Sequence, residues 1–211
     1  MMAFLDHITI AACTLDEGAA YVRRVLGVDV PFGGAHPLMA THNRLMQIGD
    51  GAFLEIIAPD PAAKPQRPRW FGLDDPAMQA RLAQSPQFIT WVVRVPDLVA
   101  ALRDVDASVG EAVRVTRGDL SWLLSIPPDG SMPYDGAHPS LIQWPAGPHP
   151  SEHMVDLGCR LERFRIEHPD AVRLAAALDA ILDDDRIVIA PGDTVRFRAT
   201  IRTPAGLRAL S

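Results

Sequence analysis

The chain is poor in cysteine: Cys13 and Cys159 are the only two thiols in 211 residues. Two are too few for a disulfide scaffold. One bridge between them stays open as an alternative, but both lie beside apolar strand patterns that suit buried free thiols. No stretch approaches the roughly 18 apolar residues that a membrane span needs. The amino-terminal run Phe4-Leu5-Asp6-His7-Ile8 has neither a basic segment nor a long apolar one. No signal peptide is expected, and the chain reads as cytoplasmic with no membrane partner. Positive charge is also in short supply, with 20 Lys+Arg against 26 Asp+Glu and a formal net charge of -6. A general basic field for nucleic acid is therefore not expected. The sequence has no glycine-rich phosphate loop, no Gly-x-Ser-x-Gly elbow and no CxxC pair. Nucleotide-dependent, hydrolase and thioredoxin-like chemistries lose support accordingly.

What is present is ordinary globular material, 48% hydrophobic and 22% charged, enough for a real core. Residues 4–12 are rich in β-branched and apolar residues and read as a strand. Thr14 and Glu17 then form a capping-box pattern for a helix running to Leu26, with Gly27 as its terminal cap. Pro31 and Gly33-Gly34 read as a turn, 42–48 as a strand, Gly49-Asp50-Gly51 as a tight turn and 52–58 as an apolar strand. Residues 60–87 are proline-rich and read as a linker with one short helix near 75–83. A second strand–helix–strand series follows. It has a strand at 88–95, a helix opened by Asp97-Leu98 and ending near Gly110, strands at 112–116 and 120–126, and a short strand at 140–144. A third begins at 159–168, with a helix from Pro169-Asp170 to Leu182 and strands at 186–190 and 194–202.

The repetition is the informative feature. The two helix openings, at Thr14 and Asp97, are offset by 97 − 14 = 83 positions, and His7 then corresponds to Thr90. The expected organisation is a first βαβββ module over 1–60, a linker over 61–87, a second module over 88–146 and a third, partial βαββ unit over 159–203. All are expected in one α+β domain whose modules form a curved, barrel-like mixed sheet around a pocket.

A paired βαβββ module with His7 in its first strand and Glu55 in its last resembles the vicinal-oxygen-chelate superfamily of glyoxalases, bleomycin-resistance proteins and extradiol dioxygenases. Thr41-His42-Asn43-Arg44-Leu45, Leu54-Glu55-Ile56-Ile57-Ala58-Pro59 and Pro139-Ser140-Leu141-Ile142-Gln143-Trp144 resemble its glyoxalase-like domain family over roughly residues 4–203. The resemblance implies a pocket between modules that takes a small-molecule ligand, and pairing into a homodimer. It also implies a divalent transition metal (Zn, Ni, Mn or Fe) held by His7, Glu55 and, at the position matching Glu55 in the second module, Gln143. Thr90 is no ligand and Gln143 is a weak one, so a metal-free hydrogen-bonded pair of His7 and Glu55 is the favoured alternative.

Glu55 is the strongest single residue. A carboxylate inside an apolar strand must face a partner, water or a ligand. The chemistry expected is that of a lyase, isomerase or dioxygenase acting on an oxygen-rich substrate, with Glu55 as base and His7 as ligand or proton donor. The alternative is a binding protein that sequesters a small molecule without turnover. His42, Asn43, Arg44, Trp91, Trp122 and Gln143 are the candidate substrate-binding residues. His36 reads as a surface loop residue, and His149 and His153 as a surface link.

Overall fold

Local signals explain where the first module begins. The Thr14 hydroxyl accepts the Glu17 N–H at 3.3 Å, and the Glu17 carboxylate accepts the Thr14 N–H at 3.1 Å. Gly27 closes the helix at φ 76°, a left-handed position that costs glycine little. The structure, a computed structural model, describes residues 3–49, 51–179 and 181–211.

The first module is β1 (Phe4–Ala11), α1 (Leu15–Leu26), β2 (Phe32–His36), β3 (Thr41–Gln47) and β4 (Phe53–Pro59). The turn expected at Gly33-Gly34 is instead a strand, β2, and the glycines serve close approach. A Cβ on Gly33 would come within 2.4 Å of Asn43 Oδ1, and one on Gly34 within 2.6 Å of Arg117 Cγ. In the expected turn at 49–51, Asp50 lies outside the described residues, and the flanking Gly49 and Gly51 have φ 83° and 69°.

The second module is β5 (Gln87–Arg94), α3 (Leu98–Ala101), β6 (Glu111–Arg117), β7 (Leu120–Ile126) and β8 (Ser140–Gln143). Its helix is one turn, far shorter than the stretch to Gly110 expected. Asp106 accepts the Ser108 N–H and starts a separate 3-10 turn, the kind of local side-chain bond that competes with helix continuation. Eight strands form one mixed sheet in the order β2-β3-β4-β1-β5-β8-β7-β6, with β1 and β5 antiparallel at its centre. The sheet curls until its edge strands β2 and β6 approach each other, giving a nearly closed barrel.

Period-2 alternation divides the side chains between two layers. Leu5, Ile8, Ile10, Leu54, Ile56, Trp91 and Val93 face outward into one core with α1. Ala11, Ile57, Val92, Val115, Trp122, Leu124 and Ile142 face the concave side. The proline-rich segment is more than a linker. Together with α2 (Pro76–Leu82) it delivers Trp70, Phe71, Leu73, Met78 and Leu82 into that concave core.

The third unit is β9 (Arg160–His168), α4 (Ala171–Asp179), β10 (Ile187–Pro191), β11 (Arg196–Thr203) and β12 (Gly206–Leu210). It has one strand more than the expected βαββ. Ala180, inside the expected helix, lies outside the described residues. The unit does not extend the barrel but makes its own four-stranded sheet, in the order β10-β9-β11-β12. Phe164 and Phe197 both pack on Phe88 of β5, so this sheet covers the barrel's convex face and shares its core. Both cysteines are free: Cys159 is buried and Cys13, at the end of β1, is exposed.

Candidate functional site

A bulge in β1 sets the site. Leu5 pairs with Val93 and His7 with Val92, which leaves Asp6 as an extra residue. An extra residue re-aims its neighbours, and here Leu5 and Ile8 both enter the convex core while His7 faces the cavity. Asp6 is fully buried and accepts three hydrogen bonds: from His7 Nδ1 at 2.6 Å, Trp144 Nε1 at 2.7 Å and His149 Nε2 at 2.9 Å. Burial alone would raise the Asp6 carboxyl. The bonds from His149 and His7 and the charge on those rings outweigh it and hold the group down at about 2. Asp6 is thus a carboxylate that holds His7 through Nδ1 and leaves Nε2 turned to the cavity. Phe53 stacks on the His7 ring at 4.5 Å and limits its rotation.

Glu55 faces His7 from β4, with its Oε2 at 3.6 Å from His7 Nε2. That is too long for a direct hydrogen bond, and both side chains border the inner cavity. Glu55 Oε1 accepts the Asn43 amide at 2.7 Å, and Thr9 donates to Oε2 at 3.4 Å. His36, Thr41 and Asn43 extend this network: His36 Nδ1 bonds Thr41 Oγ1 at 3.0 Å, and its Nε2 lies 3.4 Å from the Asn43 amide. His36 is buried, not a surface loop residue. Burial first, then the charges of Arg117, His7 and His42, push it down to about 3, so it acts as a neutral hydrogen-bonding ring. The inner cavity, of about 20 Å³, is walled by His7, His36, Glu55, Phe53, Trp70, Arg117, Trp122, Leu124, Ile142 and Trp144. Beside it lies a larger groove of about 560 Å³, lined mainly by apolar residues, which shares Arg117 and Trp144 as walls.

Four candidates therefore come together: His7, Glu55, Asn43 and Trp122. Four others do not. His42 and Arg44 alternate with Asn43 along β3 and face a separate outer groove with Cys13, where Arg44 bonds Asp16 and the Val30 carbonyl. Trp91 faces the convex core, donating to the Ala137 carbonyl and packing on Phe164. Gln143 points to the helix side and accepts the Leu98 N–H at 2.8 Å. The reason is register: Thr9 pairs with Glu55, whereas Val92, its counterpart 83 positions on, pairs with Ser140. Ser140 occupies the place of Glu55, and Ile142 rather than Gln143 reaches the cavity.

Asp6, Thr9, Arg117, Trp70 and His149 were missed as site residues. His149 is partly buried on Asp6 and is no surface link. It lies 143 positions from that partner, so no local pattern could reveal it. Asp6 carried a signal, a carboxylate directly before the candidate histidine. The donor set does not fit a resident catalytic metal, which ordinarily has three protein ligands. His7 and Glu55 supply two, Gln143 faces away, and among the described residues no cluster of three or more His, Cys, Asp or Glu could hold an ion.

Comparison with known proteins agrees with this architecture. A hypothetical protein from Staphylococcus aureus matches with a TM-score of 0.62 at 14% identity, over 93% of this chain and 88% of that one. Methylmalonyl-CoA epimerase from Mycobacterium tuberculosis matches at 19% identity over 70% of this chain and 91% of that one, with a TM-score of 0.44. No curated protein matches the chain. The profile of the family described as "Glyoxalase-like domain" matches residues 5–182. The chain belongs to the glyoxalase-like domain family.

Proposed function

We propose that the protein is a small-molecule enzyme that moves a proton on an oxygen-rich substrate, an isomerase or lyase in which Glu55 is the base and His7 the acid. The observation that carries this reading is the opposed pair, Glu55 Oε2 and His7 Nε2 at 3.6 Å, each fixed from behind by a buried partner. A C–H beside a carbonyl would lose its proton to Glu55 Oε2. The electron pair would move to the carbonyl oxygen, which would take the proton of His7 Nε2–H, and the reverse steps would complete the exchange. Asp6 holds the His7 ring with Nε2 facing the substrate oxygen, and Asn43 and Thr9 orient the carboxylate. General acid–base groups placed in this way contribute about 10²–10⁴-fold. The proposed reaction runs on these side chains, without a resident metal.

Solvent-deuterium incorporation tests the reading. A panel of small enolisable carbonyl compounds, beginning with 2-oxobutanoate and its methyl ester, is incubated with the protein in D2O and followed by proton NMR. Enzyme-dependent loss of the α-proton signal is expected, slowed about 10²–10⁴-fold in Glu55→Gln. Equal rates in the two proteins would overturn the reading.

The second reading, a binder without turnover, draws on one observation. The space at the pair is about 20 Å³, hardly more than one water, while the neighbouring groove is about 560 Å³. On that reading a ligand fills the groove and Glu55→Gln changes nothing.

A further inference from the structure

Arg117 ends β6, the outer edge strand of the second module. Alternation puts it on the same face as Val113 and Val115, so it projects to the concave side. Its guanidinium lies over the Trp122 ring, 5.8 Å from the centroid. No carboxylate or carbonyl bonds it among the described residues, although it is half-buried and walls both the inner cavity and the larger groove. Two other largely buried arginines are occupied: Arg67 reaches Glu111 and Arg69 holds Asp74. The position is also built to receive Arg117. Gly34 on the opposite edge strand has no side chain, and a Cβ there would come within 2.6 Å of Arg117 Cγ. A second donor is unused nearby: Trp70 Nε1 is buried, has no hydrogen-bond partner among the described residues, and its indole walls the inner cavity.

An unpaired, partly desolvated cation is costly, and a planar guanidinium is made for two-oxygen anions. The groove beside it offers apolar walls from Leu45, Leu120, Trp144, Pro145 and Met154. We infer that Arg117 is the anion anchor of the substrate site, and that the ligand is a singly charged carboxylate on an apolar body. The body lies in the groove, the carboxylate sits on Arg117, and the carbon next to the carboxylate-bearing end reaches toward Glu55. A dianion such as a phosphate monoester fits less well, because one guanidinium faces it and the Glu55 carboxylate stands on the far side of the same cavity. The inference rests on the proton-transfer reading only for the direction in which the ligand points; the anchor itself is a binding claim.

Matched titrations test it. Phenylacetate and phenylacetamide have the same body and differ in charge, and each is titrated calorimetrically into wild-type protein and Arg117→Gln. Wild-type protein should prefer phenylacetate by about tenfold or more, the range of a charge-assisted pair. Arg117→Gln should erase that preference while leaving phenylacetamide within about twofold, and Arg117→Lys should keep part of it. Absence of a preference in wild-type protein, its survival in Arg117→Gln, or no heat from phenylacetate at millimolar concentration would each overturn the inference. If circular dichroism shows Arg117→Gln unfolded, Gly34→Ala, which crowds the Arg117 stem, must weaken phenylacetate selectively, and equal weakening of both ligands refutes the anchor. Glu55→Gln separates the two readings, since it should bind phenylacetate at least as well as wild-type protein. Wild-type protein that shows Glu55-dependent deuterium exchange but no anion preference sinks the anchor alone, and wild-type protein with the anion preference but no such exchange sinks the proton-transfer reading alone.

Discussion

The two modules repeat one topology but furnish the concave face differently. The first places His7, Thr9, Asn43 and Glu55 there, with Asp6 behind them. The second places Val92, Trp122, Leu124 and Ile142 at that face, with Thr90 turned to the Gly136 carbonyl and Ser140 where Glu55 would be. Duplicated halves therefore divide the labour. At the inner cavity the first half supplies His7, His36 and Glu55, buried polar groups that each need a partner, and the second supplies apolar wall and the cation Arg117. Polar cost is concentrated on four strands, and the opposite wall is free to exclude water and shape the ligand.

Substitutions can break that comparison. The largest effect is expected from His7→Gln, which should slow deuterium exchange about 100-fold or more, while Thr90→Val and Ser140→Ala at the corresponding places should stay within about twofold. NMR exchange rates of the three variants check this, and comparable losses in both halves would abolish the asymmetry. Next comes Leu124→Ala, a deletion in the apolar wall. It should cost about 2–5 kcal/mol of stability in urea unfolding, whereas Glu55→Gln should cost under about 1 kcal/mol because the Asn43 amide keeps an oxygen acceptor.

A smaller effect comes with pH. His36 is held at about 3 in the folded protein against 6.5 in the free side chain. Between those values the unfolded chain binds the extra proton, so stability rises with pH across that window and is level above it. The slope attributable to His36 is about 1.4 kcal/mol per pH unit at most. His36→Asn should flatten that part of the stability–pH curve, measured by denaturant midpoints at pH 4, 5, 6 and 7. An unchanged curve would place the acid sensitivity elsewhere.

Much of this was legible in the sequence where the cause is local. The Thr14–Glu17 box, the Gly27 cap and the alternation of Leu54, Glu55 and Ile56 each depend on residues within a few positions of one another. The meeting of His7 and Glu55 was implied by the family resemblance, with alternation supporting only Glu55. Register across modules was not legible, because the loops differ. The β1–β4 pairing spans 53 − 7 = 46 positions and the β5–β8 pairing 140 − 92 = 48, so a match by appearance chose Gln143 over Ser140. One residue of slip reverses the face. The bulge at Asp6 breaks the period that would have located it, and the bond from His149 to Asp6 depends on tertiary closure. The third unit's strands were readable, but its pairing order was not, since a strand's partners are fixed by which apolar face it covers.

The central claim is that first-module side chains carry out the chemistry themselves. The most direct measurement is the deuterium-exchange rate of wild-type protein before and after exhaustive treatment with a chelator, with metal content determined by mass spectrometry on the same samples. The account predicts an unchanged rate in metal-stripped protein. A rate that falls on stripping and returns with one equivalent of a divalent transition metal would contradict it.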